Sequence, residues 1–188
     1  MRSKSSLRQG SEKKLAFADH PKQEILLPVK SSFIVLSLAA ALLLNLLPLP
    51  PVVLVARPDF VALVLLYWCI HQPQRIGMSV AFILGLFMDI GDASTLGEHA
   101  LAYSIMAFSA LVFHRRLHFF GPYTQAPQVG LILLLGQSVM LLAGLLGGSH
   151  FPGWDFFLSS VTGIILWPLL FSLLRMSQKP GRSDSDAL

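Results

Sequence analysis

Apolar residues in this chain come in long unbroken blocks, not at the spacing of one helix face, and that feature limits the fold more than any other. Each block approaches the roughly 20 residues needed to cross a ~30 Å hydrocarbon layer. Only 13% of the 188 residues are charged and 54% are hydrophobic, against about 25% charged in an ordinary soluble domain. With a mean hydropathy of +0.65, the expected fold is an all-α, polytopic transmembrane helical bundle.

Proline and basic clusters divide the blocks into six expected spans, at 31–48, 53–71, 76–94, 98–114, 126–147 and 155–174. Pro48-Leu49-Pro50-Pro51 separates the first two, because proline lacks the N–H a helix needs and clashes with the preceding turn. His71-Gln72-Pro73-Gln74-Arg75 separates the second from the third. Arg115-Arg116 opens the longest inner loop, Leu117 to Pro127, with Phe119, Phe120 and Tyr123 expected at the interface. Gly147-Gly148-Ser149 reads as an outer turn in preference to a Gly144-x-x-x-Gly148 packing motif.

Charge sets the orientation, since Lys and Arg gather on the cytoplasmic side. Under the six-span reading all of them fall at one side except Arg57, so both termini are expected in the cytoplasm. Residues 1–30 read as a disordered basic tail, 31–175 as the transmembrane domain and 176–188 as a second disordered tail. The net charge of +4 and pI near 9.5 are explained by this bias, and no RNA-binding aromatic motif or basic recognition helix points to nucleic acid. A single cysteine, Cys69, excludes an intrachain disulfide and a cysteine-based zinc site.

Polar residues inside the blocks are the candidate site, because ionisable groups in hydrocarbon are costly. Counted from Arg75 at 1.5 Å per residue, Asp89 lies about 21 Å and Asp92 about 25 Å from the cytoplasmic end. The second and third spans are antiparallel about Gln74, so Asp59 lies level with Asp89, and Arg57 level with Gly91 beside Asp92. Asn45, Glu98 and His99 fall at similar heights. An ion-pair group of Arg57, Asp59, Asp89 and Asp92 is therefore expected, within a larger cluster that includes Asn45, Glu98 and His99.

Three uses compete for that cluster. It could be a metal or diphosphate site built on Asp89 and Asp92 with Glu98 or His99, a proton or ion relay through the same acids, or a set of interhelical and partner-facing contacts. The third is favoured, and no cofactor is expected. No G-x-S-x-G, H-E-x-x-H, P-loop or dinucleotide motif is present. His20, His71, His114, His118 and His150 are scattered at expected helix ends and loops.

Two stretches carry a resemblance: Arg57-Pro58-Asp59-Phe60-Val61-Ala62-Leu63-Val64-Leu65-Leu66-Tyr67-Trp68, and Gly85-Leu86-Phe87-Met88-Asp89 followed by Leu96-Gly97-Glu98-His99-Ala100-Leu101. They resemble the rod shape-determining MreD family, in which a Pro-Asp opens an apolar span closing on Tyr-Trp, followed by Gly-Leu-x-x-Asp and Leu-Gly-x-His-Ala-Leu. Pro73, Arg75 and Gly77 fit the intervening loop. The likeness runs from Arg57 to Tyr103 and is hydropathic elsewhere. The long basic tail and the extra acid in Gly91-Asp92-Ala93-Ser94 depart from the pattern.

The resemblance implies a non-enzymatic component of the bacterial inner membrane that supports side-wall peptidoglycan synthesis and cell shape. Implied partners are MreC and, through the elongation complex, MreB, RodA and a penicillin-binding transpeptidase, all in contact with membrane lipid. It also implies a fold similar to the membrane subunits of energy-coupling-factor transporters. A substrate-binding subunit of a small-molecule, vitamin-like transporter is thus the alternative function.

Overall fold

The computed structural model describes residues 30–50, 54, 56–92 and 94–176. Both expected tails, apart from Lys30 and Met176, lie outside the described residues. The described chain is helical: α1 Ser31–Asn45, α2 Phe60–His71, α3 Met78–Gly91, α4 Glu98–Phe119, α5 Pro122–Leu146, a 3-10 turn at Trp154–Phe157, and α6 Leu158–Met176.

Helix α2 is the axis of the bundle. Every residue from Val61 to Ile70 is buried, as befits a helix that is apolar on all sides. It touches α1, α4 and α6, while α3, α4, α5 and α6 contact one another in chain order. Tyr67 and Trp68 anchor its far end, Tyr67 meeting Trp167 at a centroid distance of 6.5 Å and Phe171 at 5.8 Å. Small residues permit close approach at other crossings. A Cβ on Gly85 would stand 2.3 Å from the Cα of Ala100, so α3 and α4 meet backbone to backbone there.

Outward positions are apolar around the bundle. Leu36 and Leu43 on α1, Ile83 and Ile90 on α3, Phe108 and Val112 on α4, Leu131 and Leu142 on α5, and Ile165 and Leu173 on α6 are all exposed. Soluble monomers rarely show such continuous apolar surface. Two helical segments, Pro122–Leu146 and Trp154–Met176, are long and apolar enough to cross a membrane.

Several boundaries differ from the sequence expectation. The first span ends as helix at Asn45 and the third at Gly91. The second is short: α2 has 12 residues, about 18 Å of rise, because Pro58 and Asp59 form its start, with Asp59 as N-cap. Residues 51–53 and 55 of that expected span lie outside the described residues. The long inner loop from Leu117 to Pro127 is instead helix on both sides of Phe120 and Gly121. Pro122 occupies the first turn of α5, where a missing N–H costs nothing. Pro127 falls just beyond the four N–H groups that never bond within a helix, so α5 accommodates it at the loss of one bond.

The turn expected after α5 forms. Gly148 has φ of +88°, a conformation cheap for glycine alone. The N–H of Ser149 donates to the carbonyl of Gly144 at 2.9 Å and that of Gly148 to Leu145 at 3.1 Å, which closes the helix with a glycine C-cap.

Candidate polar site at one end of the bundle

Antiparallel neighbours sort the polar residues by height. Ser31, at the start of α1, accepts a hydrogen bond from Arg75 in the α2–α3 turn at 3.2 Å. Leu117 near the end of α4 meets Gln125 near the start of α5, its carbonyl accepting from Nε2 at 2.6 Å. Trp167 donates to Gln125 at 3.3 Å, and His71 rests against Phe171 at 5.4 Å. These contacts bring Arg75, Arg115, Arg116 and Arg175 to one end. Asn45, Arg57, Asp59, Asp89, Asp92 and His99 lie at the other.

The start of α2 is satisfied from two elements. Asp59 Oδ1 accepts the N–H of Ala62 at 3.0 Å, the usual N-cap bond. Asn45, buried at the end of α1, donates to the same oxygen at 2.8 Å and accepts the N–H of Phe60 at 3.0 Å. Asp59 Oδ2 receives the hydroxyl of the fully buried Tyr103 at 2.7 Å. A helix that begins inside a protein must find partners for its first N–H groups, and α1, α2 and α4 are tied together in supplying them.

Asp89 does the same for α4. It is 1% exposed and its carboxylate accepts four donors: Gly97 N–H at 2.8 Å, His99 N–H at 2.8 Å, His99 Nδ1–H at 3.0 Å and the Ser94 hydroxyl at 3.2 Å. The carboxylate of α3 therefore caps the N-terminus of α4, where backbone N–H groups and the helix dipole both favour an anion. Gly85 sits one turn before Asp89 on the same face, and its missing side chain admits the α4 backbone to within reach of that carboxylate. Gly97, at φ +100°, turns its N–H towards Asp89. The Gly-Leu-x-x-Asp and Leu-Gly-x-His stretches are thus two halves of one clamp.

His99 joins the acids. Its Nδ1 faces Asp89 and its Nε2 stands 3.8 Å from Asp92 Oδ2. Its ring meets Tyr103 edge-on at 5.9 Å, which links the Asp89 clamp to the Asp59 cap. The expected ion-pair group around Arg57 is corrected here. Among the described residues the acid–base contacts are those of His99 with Asp89 and Asp92. Arg57 donates instead to the carbonyl of Leu47 at 3.3 Å. Because α2 starts only at Phe60, Arg57 lies before the helix, and the mirror counting that placed it level with Gly91 does not apply. Glu98, at the start of α4, turns its carboxylate towards Gly144 of α5, where an added Cβ would lie 3.4 Å from Oε1.

Sequence reasoning passed over a second polar group. Gln137, 8% exposed, donates to the carbonyl of Phe156 at 2.9 Å and to Ser159 at 2.5 Å, and accepts the Ser160 hydroxyl. A glutamine in mid-span is the signal, an uncharged amide remote in sequence from the acids around which the expected cluster is built. Gln137 and Ser159 share with Asn45, Arg57, Asp59, Asp92, His99 and Asp155 the lining of an open cavity of about 410 Å³.

The arrangement suits fastening better than reaction. All four hydrogen bonds at Asp89 come from fixed donors of one loop and helix start, leaving the carboxylate committed. No group of three or more His, Cys, Asp or Glu among the described residues is placed to hold a metal ion.

Comparison with known proteins adds a relationship. The family model for the rod shape-determining protein MreD matches residues 29–177. The rod shape-determining protein MreD of Haemophilus influenzae is 30% identical over 135 residues, covering 72% of this chain and 83% of that protein. No solved structure matches.

Proposed function

The chain belongs to the rod shape-determining protein MreD family, and from that premise we propose that it is a non-enzymatic scaffold of the cell-elongation complex in the bacterial inner membrane. Membership carries a role in rod-shape determination. In the proposed reading six helices cross the bilayer with both termini in the cytoplasm, the arginine-rich end inward and the polar site outward. Residues 31–175 form the membrane domain, and the segments before and after it are cytoplasmic tails. The apolar exterior and the collection of arginines at one end support this orientation.

MreC is the proposed direct partner, with MreB, RodA and a penicillin-binding transpeptidase reached through the complex. Asn45, Asp59, Asp89 and His99 are proposed to fix the outer end of the bundle, with Arg57, Asp92 and Glu98 completing its polar face, so that a partner's transmembrane helix meets a surface of constant shape. The capping of α4 by Asp89 carries this reading. In hydrocarbon a helix end without partners costs several kcal/mol per group, and the clamp lets α4 begin where lipid could not solvate it.

The test is an Asp89→Ala variant produced beside MreC in a strain that lacks its own copy of the chain. Loss of co-purification and rounding of the cells are expected. Wild-type recovery of MreC together with normal rods would refute the role given to the cluster.

A further inference from the structure

The 410 Å³ cavity at the polar end falls within the ~300–1,000 Å³ range of small-ligand sites, and its charges are arranged in an unusual way. Arg57, Asp92 and Asp155 all line it, yet among the described residues Arg57 is within ion-pairing distance of no carboxylate. Its guanidinium carries five donors, of which one reaches the Leu47 carbonyl at 3.3 Å. Asp59 is already occupied, by Ala62, Asn45 and Tyr103. Asp92 has a single 3.8 Å approach to His99.

Opposite charges sharing one partly apolar cavity gain by closing on each other. Held apart, they complement a guest that carries both signs. We propose that this cavity binds a zwitterionic group, an ammonium joined by a short link to a phosphate, with Arg57 on the phosphate and Asp92 and Asp155 on the ammonium. A planar guanidinium suits phosphate oxygens, and two carboxylates suit the three donors of an ammonium. Met88, Met140 and Phe156 in the same wall accept the carbon chain that follows the phosphate in a phospholipid. The binding does not depend on the scaffold reading, since it requires no partner protein.

The test uses the full-length chain in detergent, mixed with equal amounts of phosphatidylethanolamine and phosphatidylglycerol of the same acyl composition and read by native mass spectrometry. At least a tenfold excess of retained phosphatidylethanolamine is expected. Arg57→Gln should reduce retention of both lipids, and the Asp92→Asn/Asp155→Asn double variant should abolish the preference. Both acids are exposed, so that double variant stays folded and interpretable. Soluble phosphoethanolamine separates the sources. Displacement of the lipid at millimolar concentration identifies the headgroup as sufficient, and failure to displace it identifies the whole lipid. Equal retention of the two lipids, a preference that survives in the double variant, or no lipid retained until a partner protein is added would overturn the proposal.

Discussion

Replacing Asp89 by alanine removes the acceptor for four donors at once, and the cost can be worked from the geometry. Hydrogen bonds to a charged acceptor contribute about 1.5–3 kcal/mol each. The two backbone bonds, from Gly97 and His99 at 2.8 Å, have no alternative partner in the loop, giving about 3–6 kcal/mol. The Ser94 hydroxyl and the imidazole can turn to Asp92 or water, so they add little. Solvent reaching the partly buried loop brings the expected loss to the low end, about 3 kcal/mol. At this chain length each kcal/mol moves the melting temperature by about 2–4 °C, so a fall of about 6–12 °C is expected. Cys69 supplies the assay: it is the sole cysteine, 0% exposed in α2, and a fluorogenic maleimide reacts with it only as the bundle opens. Asp92→Ala is the control, since Asp92 is exposed and touches His99 only at 3.8 Å; it should stay within about 2 °C of wild type. Equal melting of Asp89→Ala and wild type would refute the claim that this carboxylate caps α4.

Four further variants can be read with the same thiol assay. Gly85→Ala should cost about 3 kcal/mol, the upper part of the usual overpacking range, because the new methyl meets backbone atoms of Ala100 at 2.3 and 2.5 Å; Gly136→Ala should cost about 1 kcal/mol, since its methyl meets the flexible end of Met106. Tyr103→Phe should lower stability by about 1.5–3 kcal/mol, as Asp59 Oδ2 loses its 2.7 Å donor, and a melting temperature equal to wild type would show that water replaces the hydroxyl. Arg57→Gln in lipid-free detergent should change stability by no more than about 0.5 kcal/mol, because its contact is a long, exposed bond to Leu47; a loss of several kcal/mol would restore the ion-pair arrangement expected from sequence.

Long apolar blocks and their proline or basic breakers make the helices legible, and counting residues from Arg75 brings Asp59 and Asp89 to the same height without any coordinates. What counting could not supply was direction. Asp89 reads in sequence as a charge seeking a cation, whereas in the fold its demand is met by N–H groups of Gly97 and His99, which every sequence contains and none advertises. Arg57 misleads for a related reason: the expected span reaches back to residue 53, which gives Arg57 a helical position it does not have, since α2 begins only after its Asp59 N-cap. The sequence places Pro127 at the end of a loop, yet α5 carries it in its second turn. Gln137 is a lone amide among leucines, remote in sequence from the acids around which the expected cluster is built.

Enclosure of α2 on every side bears on how the chain is made. Synthesis runs from the amino terminus, so Phe60–His71 leaves the ribosome well before α4 and α6, the helices that wall it in. Until Trp167 and Phe171 emerge, Tyr67 and its neighbours have only temporary company. Biogenesis of this protein is therefore completed from its carboxyl end, and a stop codon anywhere before Leu158 would leave its innermost segment uncovered, a substrate for membrane quality-control proteases.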